Sequence, residues 1–176
     1  MPNKKSVVAV FNTHVEAEAA IKELEKAGCD MKMLSIIGKE YHSEEHVVGY
    51  YNAGDRIKVW GKFGALWGGV CGLLFGSAMF LMPGVGPVMV FGPLAAWIFG
   101  ALEEAVVIGG LSALGAGLYS IGIPKDSILQ YESAVKAGKF VVIAQGYSEE
   151  TAKALRVITA ANAAQIKVHE AELAAV

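Results

Sequence analysis

Two clusters in this 176-residue chain combine residue types that could do chemistry. The first is Glu40-Tyr41-His42-Ser43-Glu44-Glu45-His46, with two histidines four positions apart among carboxylates. On a helix His42 and His46 would share a face, and with Glu45 they would offer two imidazole nitrogens and a carboxylate oxygen to Zn²⁺. The plain alternative is a solvated pair of surface histidines. The second cluster is Glu103-Glu104, the only charged residues between Phe63 and Ile123. A carboxylate in apolar surroundings suggests ion or proton handling, whereas near an interface it pairs with a lysine, here Lys62 or Lys58. Other chemistry is excluded by pattern. Gly84-Val85-Gly86 lacks the third glycine and the strand-to-helix context of a dinucleotide loop. No P-loop, nucleophile elbow or triad spacing occurs. The chain therefore reads as non-enzymatic, with no catalytic residues and no cofactor.

What positions these clusters is the stretch from Phe63 to Ile123. Its first twenty residues, Phe63 to Met82, carry no charge. As a helix they would span roughly 30 Å, the thickness of a bilayer's hydrocarbon core. Trp60 and Lys62 stand at the entrance, as interface anchors do. Pro83-Gly84-Val85-Gly86-Pro87 then reverses the chain, and Val88 to Ile123 is expected to return as one long helix, with Glu103 near the starting interface.

Small residues recur every four positions along this stretch: Gly64, Gly68, Gly72 and Gly76; then Gly92, Ala96 and Gly100; then Gly109, Ala113 and Gly117. Such tracks let helix backbones approach closely, and four glycines in register would need a packing reason because each costs about 1 kcal/mol against alanine. One reading pairs the two helices of a single chain. The other leaves a track free to join chains into a homo-oligomer.

Composition narrows the partners. The net charge is −2, charged residues make up 18% and hydrophobic residues 54%. That balance gives no basic face for nucleic acid. Cys29 and Cys71 form no disulfide framework and no CxxC motif, in keeping with a reducing compartment. The Met-Pro-Asn-Lys-Lys-Ser start leads straight into a strand-like run, without the features of a signal peptide.

The flanks look alike. Ser6 to Phe11 reads as a buried strand; Thr13-His14-Val15-Glu16 is a capping box; Ala17, Ala20, Ile21 and Leu24 line one helix face; Gly28 ends the helix. Met33 to Ile37 is a second strand. Past the apolar stretch, Pro124 opens a helix with Ile128, Tyr131 and Val135 on one face, ended by Gly138. Phe140 to Ala144 is a strand, Ser148-Glu149-Glu150 caps another helix, and Ile166 to His169 is a final strand. Strand, helix, strand thus occurs twice, over Ser6–Gly38 and Lys139–Glu170. Two such units predict an α+β, ferredoxin-like sandwich. Three parts follow: residues 1–62, the first half with its connector; 63–123, the Gly-rich helical hairpin; and 124–176, the second half.

The opening Val-Val-Ala-Val-Phe-Asn-Thr-His-Val-Glu-Ala-Glu-Ala-Ala resembles the start of the bacterial general-stress-protein (heat-induced stress protein) domain family. Gly122-Ile123-Pro124-Lys125-Asp126, Tyr131-Glu132 and Gly138-Lys139-Phe140-Val141-Val142 resemble it as well. The resemblance implies a cytoplasm-facing α/β domain tied to stress responses, with no catalytic residues to carry over.

If both halves build one sheet, they lie on the same side of a membrane, and Lys58, Lys62 and Lys125 place that side in the cytoplasm by the positive-inside rule. The expectation is a bacterial inner-membrane stress protein or scaffold, both termini cytoplasmic, in contact with membrane lipid and self-assembled through its small-residue faces. Two alternatives stand beside it. One is a soluble closed homo-oligomer that buries its hairpins around an apolar interior or lipid cargo. The other is a metal- or ligand-responsive regulator that uses His42, Glu45 and His46.

Overall fold

The computed structural model describes residues 4–39, 77–82, 86–94, 96–98 and 112–170. The first strand is β1 (Lys5–Phe11), whose Val7, Ala9 and Phe11 face one layer of helices while Val8 and Val10 face the other. Two covered faces explain why Ser-Val-Val-Ala-Val-Phe is an unbroken apolar run instead of an alternating one. α1 (His14–Lys26) follows, capped as its sequence predicts: Glu16 N donates to Thr13 Oγ1, and the Glu16 carboxylate accepts from Thr13 N. A 3₁₀ turn at Met31–Met33 leads into β2 (Leu34–Lys39).

The remaining elements are β3 (Ser77–Met82), β4 (Gly86–Phe91), α2 (Ala113–Ser120), α3 (Lys125–Lys136), β5 (Phe140–Gly146), α4 (Ser148–Ala160) and β6 (Gln165–Glu170). The six strands form one antiparallel sheet in the order β3-β4-β2-β5-β1-β6. Val8 sits opposite Ile143 of β5 on one side and Lys167 of β6 on the other.

Each face has its own core. On one, Ala17, Ala20, Ile21 and Leu24 of α1, with Ala154 and Ile158 of α4, pack on Phe11, Leu34, Ile36 and Val142. On the other, Leu114 and Leu118 of α2, with Ile128, Tyr131 and Val135 of α3, cover Val8, Ile37, Val90 and Val141. Each fully buried leucine or isoleucine contributes about 1.5–3 kcal/mol relative to exposure. A mixed α/β domain built on an antiparallel sheet is thus present.

The apolar middle departs from expectation. Where Phe63–Met82 was to be one helix and Val88–Ile123 another, Ser77–Met82 and Gly86–Phe91 are strands paired through Met79 and Met89, and β4 adds to β2 through Ile37 and Val90. Met82 stands opposite Gly86, so the segments on either side of residues 83–85 are antiparallel, but they are extended. A short apolar run fits either a buried strand or a helix, and Val88 and Val90, both buried, take the alternate positions a strand requires. Gly92 ends β4 with φ +95°, and Pro93 opens a new helical turn. Ser112 then starts α2 by accepting from Gly115 N at 3.0 Å, so no single helix returns from the reversal.

The inner-membrane placement falls with those helices. No helix among the described residues is long and apolar enough to cross a membrane, and α2 has only eight residues. A smaller shift concerns α4, whose N-cap is Tyr147 instead of Ser148, with Tyr147 N donating to the Glu150 carboxylate at 3.1 Å.

Candidate functional site

On the α1/α4 side the chain turns sharply out of α1. Ala27 N and Cys29 N donate to the last carbonyls of the helix, and Gly28 takes φ +73°, which a residue with a β-carbon adopts only under strain. This turn brings Cys29 beside the first turns of α4. Between them opens a cavity of about 280 Å³, lined in part by Cys29, Asp30, Gln145, Glu150, Thr151 and Lys153. It lies at the small end of the range for ligand pockets.

Three of these side chains define its electrostatics. Lys153 Nζ donates to the Gly28 carbonyl at 3.2 Å and so closes the turn from the neighbouring helix α4. The Glu150 carboxylate is held at Tyr147 N. Burial pushes the half-buried Cys29 thiol above its usual range, Lys153 pulls it down in part, and Glu150 pushes it up again. At neutral pH the thiol is therefore protonated and a poor nucleophile. Among the described residues no histidine lines this cavity to act as its base. The arrangement suits binding a small polar molecule better than attacking one.

The other face carries a second polar group. Along β6, Gln165, Lys167 and His169 alternate with Ile166 and Val168 and turn toward α3. Lys167 Nζ donates to Gln130 Oε1 at 2.6 Å, Gln165 Nε2 reaches the same oxygen at 3.3 Å, and His169 Nε2 lies 2.7 Å from the Tyr131 hydroxyl. Burial pushes the Tyr131 phenol up to about 12. Burial, then the nearby Lys167 ammonium, holds the His169 ring below the usual histidine range.

Of the residues the sequence singles out, His42, Glu45, His46, Lys62, Gly64, Gly68, Gly72, Gly76, Gly100, Glu103, Glu104 and Gly109 lie outside the described residues. Among the described residues no group of three or more His, Cys, Asp or Glu could hold a metal ion. Gly92 is no member of a helical track, since its backbone stands at the end of a strand. Ala96 is exposed. Ala113 packs against the core from the start of α2. Gly117 packs within the chain: a β-carbon there would stand 2.3 Å from Ile98 Cγ1.

Cys29, Lys153, Tyr131 and His169 were not foreseen as sites. Lys153 and the Gly28 carbonyl it bonds are 125 positions apart, and no local spacing joins them. His169 had a weak signal, because assigning Ile166 and Val168 to one face of a strand sends Lys167 and His169 to the other.

With this geometry established, comparison adds one family. The family model of the heat-induced stress protein YflT domain matches residues 6–80, so the chain carries that domain's pattern over β1, α1, β2 and the start of β3. The resemblance of the opening residues to heat-induced stress proteins holds over this segment. No curated protein and no solved structure matches the chain.

Proposed function

We propose that this protein is a non-enzymatic, stress-related scaffold that works by self-association along its sheet. The observation that carries this reading is the rim strand β3, Ser-Ala-Met-Phe-Leu-Met. It is hydrogen-bonded to β4 on one side and, among the described residues, to no strand on the other. Exposed strand edges are templates for pairing, and proteins that avoid it place charges or prolines there. β3 has neither. The family match to a heat-induced stress domain supports the stress-related half of the reading.

The core to which β3 and β4 attach reads as ferredoxin-like. Its support is the strand order β2-β5-β1-β6, with the units β1-α1-β2 and β5-α4-β6 laying both connecting helices on one face. On this reading the β3–β4 ribbon is an extension that moves the sheet edge away from that core.

Sedimentation velocity of the full chain tests the proposal, beside a Met79→Lys variant whose fold is checked by circular dichroism. The wild type should form a defined oligomer at micromolar concentration, and the lysine on β3 should return it to a single copy. A wild type that sediments as one copy, or a folded variant that assembles unchanged, would overturn the role of this edge.

A further inference from the structure

We infer that the Tyr131–His169 contact is a proton-operated latch on the β6 edge of the sheet, holding that strand down while the imidazole is neutral and loosening it when the ring takes up a proton. β6 is the rim strand opposite β3 and has β1 as its one strand neighbour among the described residues. Ile166 packs it against the α1/α4 core, and on the other face α3 holds it through two points. Gln130 takes Lys167 and Gln165, and Tyr131 takes His169. Tyr131 is 1% exposed, so the latch is anchored in the core on one side and reaches a partly exposed strand on the other.

The chemistry is asymmetric in protonation. Toward a neutral ring the phenol can donate to Nε2 at 2.7 Å, with the two rings meeting edge to face at 84°. An imidazolium has donors only, so the phenol must turn its hydrogen away and accept. The new charge then stands partly buried with little to offset it. From its own strand it meets Lys167, a like charge. From β1 its register partner is Ser6, neutral and buried. Lys5 and Glu170 pair with each other at 2.7 Å, and strand alternation puts Glu170 on the opposite face. From α3 it meets Tyr131 and Gln130, while the Glu132 carboxylate accepts from Ser112 Oγ instead. Among the described residues no carboxylate forms an ion pair with His169.

The direction of the effect follows from linkage. The docked ring binds its proton less readily than the released ring, so the released state holds more protons as pH falls below the ordinary value of 6.5. Docking is therefore strongest above that value and weakens as acidification proceeds through the lower value of the docked ring.

Amide hydrogen exchange on the full chain, between about pH 7.5 and pH 5, reads this directly when β6 protection is divided by β5 protection at each pH. The wild type should lose β6 protection selectively as pH falls. His169→Gln, whose amide can bond the phenol at every pH, should hold the ratio constant. NMR titration of the His169 ring should give a midpoint below that of a histidine in an unstructured peptide. A ratio that stays flat in the wild type would overturn the latch. So would the same loss in His169→Gln, or a midpoint at or above the peptide value.

Discussion

Replacing Gly92 with alanine should destabilise the fold by about 2–5 kcal/mol, and even the sign of the change is informative. Gly92 holds φ +95°, and a β-carbon there would stand 2.2 Å from the Leu34 carbonyl oxygen and 2.9 Å from Ser35 Cα. Both are backbone atoms of β2, so relief requires the strand itself to move. That movement would disturb the Leu94 N–H, which donates to Ser35 Oγ at 3.2 Å. A left-handed backbone at a residue with a side chain costs roughly 1–2 kcal/mol, and overpacking a filled site costs about 1–3 kcal/mol. Were Gly92 instead part of a small-residue track inside a helix, alanine would stabilise by about 1 kcal/mol. Gly28→Ala is the reference. It shares the positive φ, at +73°, but among the described residues its new β-carbon would meet only the movable Lys153 Nζ at 3.3 Å. It should lose the backbone component alone, about 1–2 kcal/mol. Urea unfolding followed by circular dichroism gives the midpoints, compared at equal slope. A Gly92→Ala protein as stable as wild type, or no less stable than Gly28→Ala, would refute the seating of this turn on β2.

Other expectations follow from the two polar groups. Raised above its usual range mainly by burial, the Cys29 thiol should react with iodoacetamide near pH 8 more slowly in the native protein than in urea. Measured in a Cys71→Ser background, equal rates in both would remove the cavity's influence. Lys153→Ala, which deletes the one group among the described residues that lowers the thiol, should slow the native reaction further; a faster reaction would contradict the assigned electrostatics. Because burial raises the Tyr131 phenol from 10 to about 12, its contribution to stability is whole below pH 10 and is lost as pH rises toward 12. Tyr131→Phe should flatten that alkaline limb in chemical denaturation, and an unchanged limb would count against it.

Legibility in the sequence was uneven for physical reasons. α1 was readable to the residue because Thr13 and Glu16 cap it reciprocally and Gly28 stops it, both local signals. The strands β1 and β5 announced themselves as unbroken β-branched runs, which is what a strand covered on both faces requires. Ser77–Phe91 was misread because a continuous apolar run carries no period, so helix and strand differ there only through partners. Those partners are Ile36 to Lys39 of β2, far away in sequence. Glycine spacing added a false period. It placed in helical tracks both Gly92, which terminates a strand, and Gly117, which lets α2 approach Ile98. The cavity at Cys29 and the Tyr131–His169 contact depend on sheet register, which single-sequence patterns do not contain.

The strand order has a consequence for how the chain is made. Among the described strands, β1 is hydrogen-bonded only to β5 and β6, and β2 only to β4 and β5. Among the described strands, none lying within residues 6–80 is adjacent to another from that stretch. At 5–20 residues per second a ribosome needs roughly 6–26 s to travel from Phe11 to its register partner Phe140. Throughout that interval Val7, Val8, Val10 and Phe11 leave the exit tunnel with no sheet to join. Birth, more than maturity, is when this molecule most needs shelter from its neighbours.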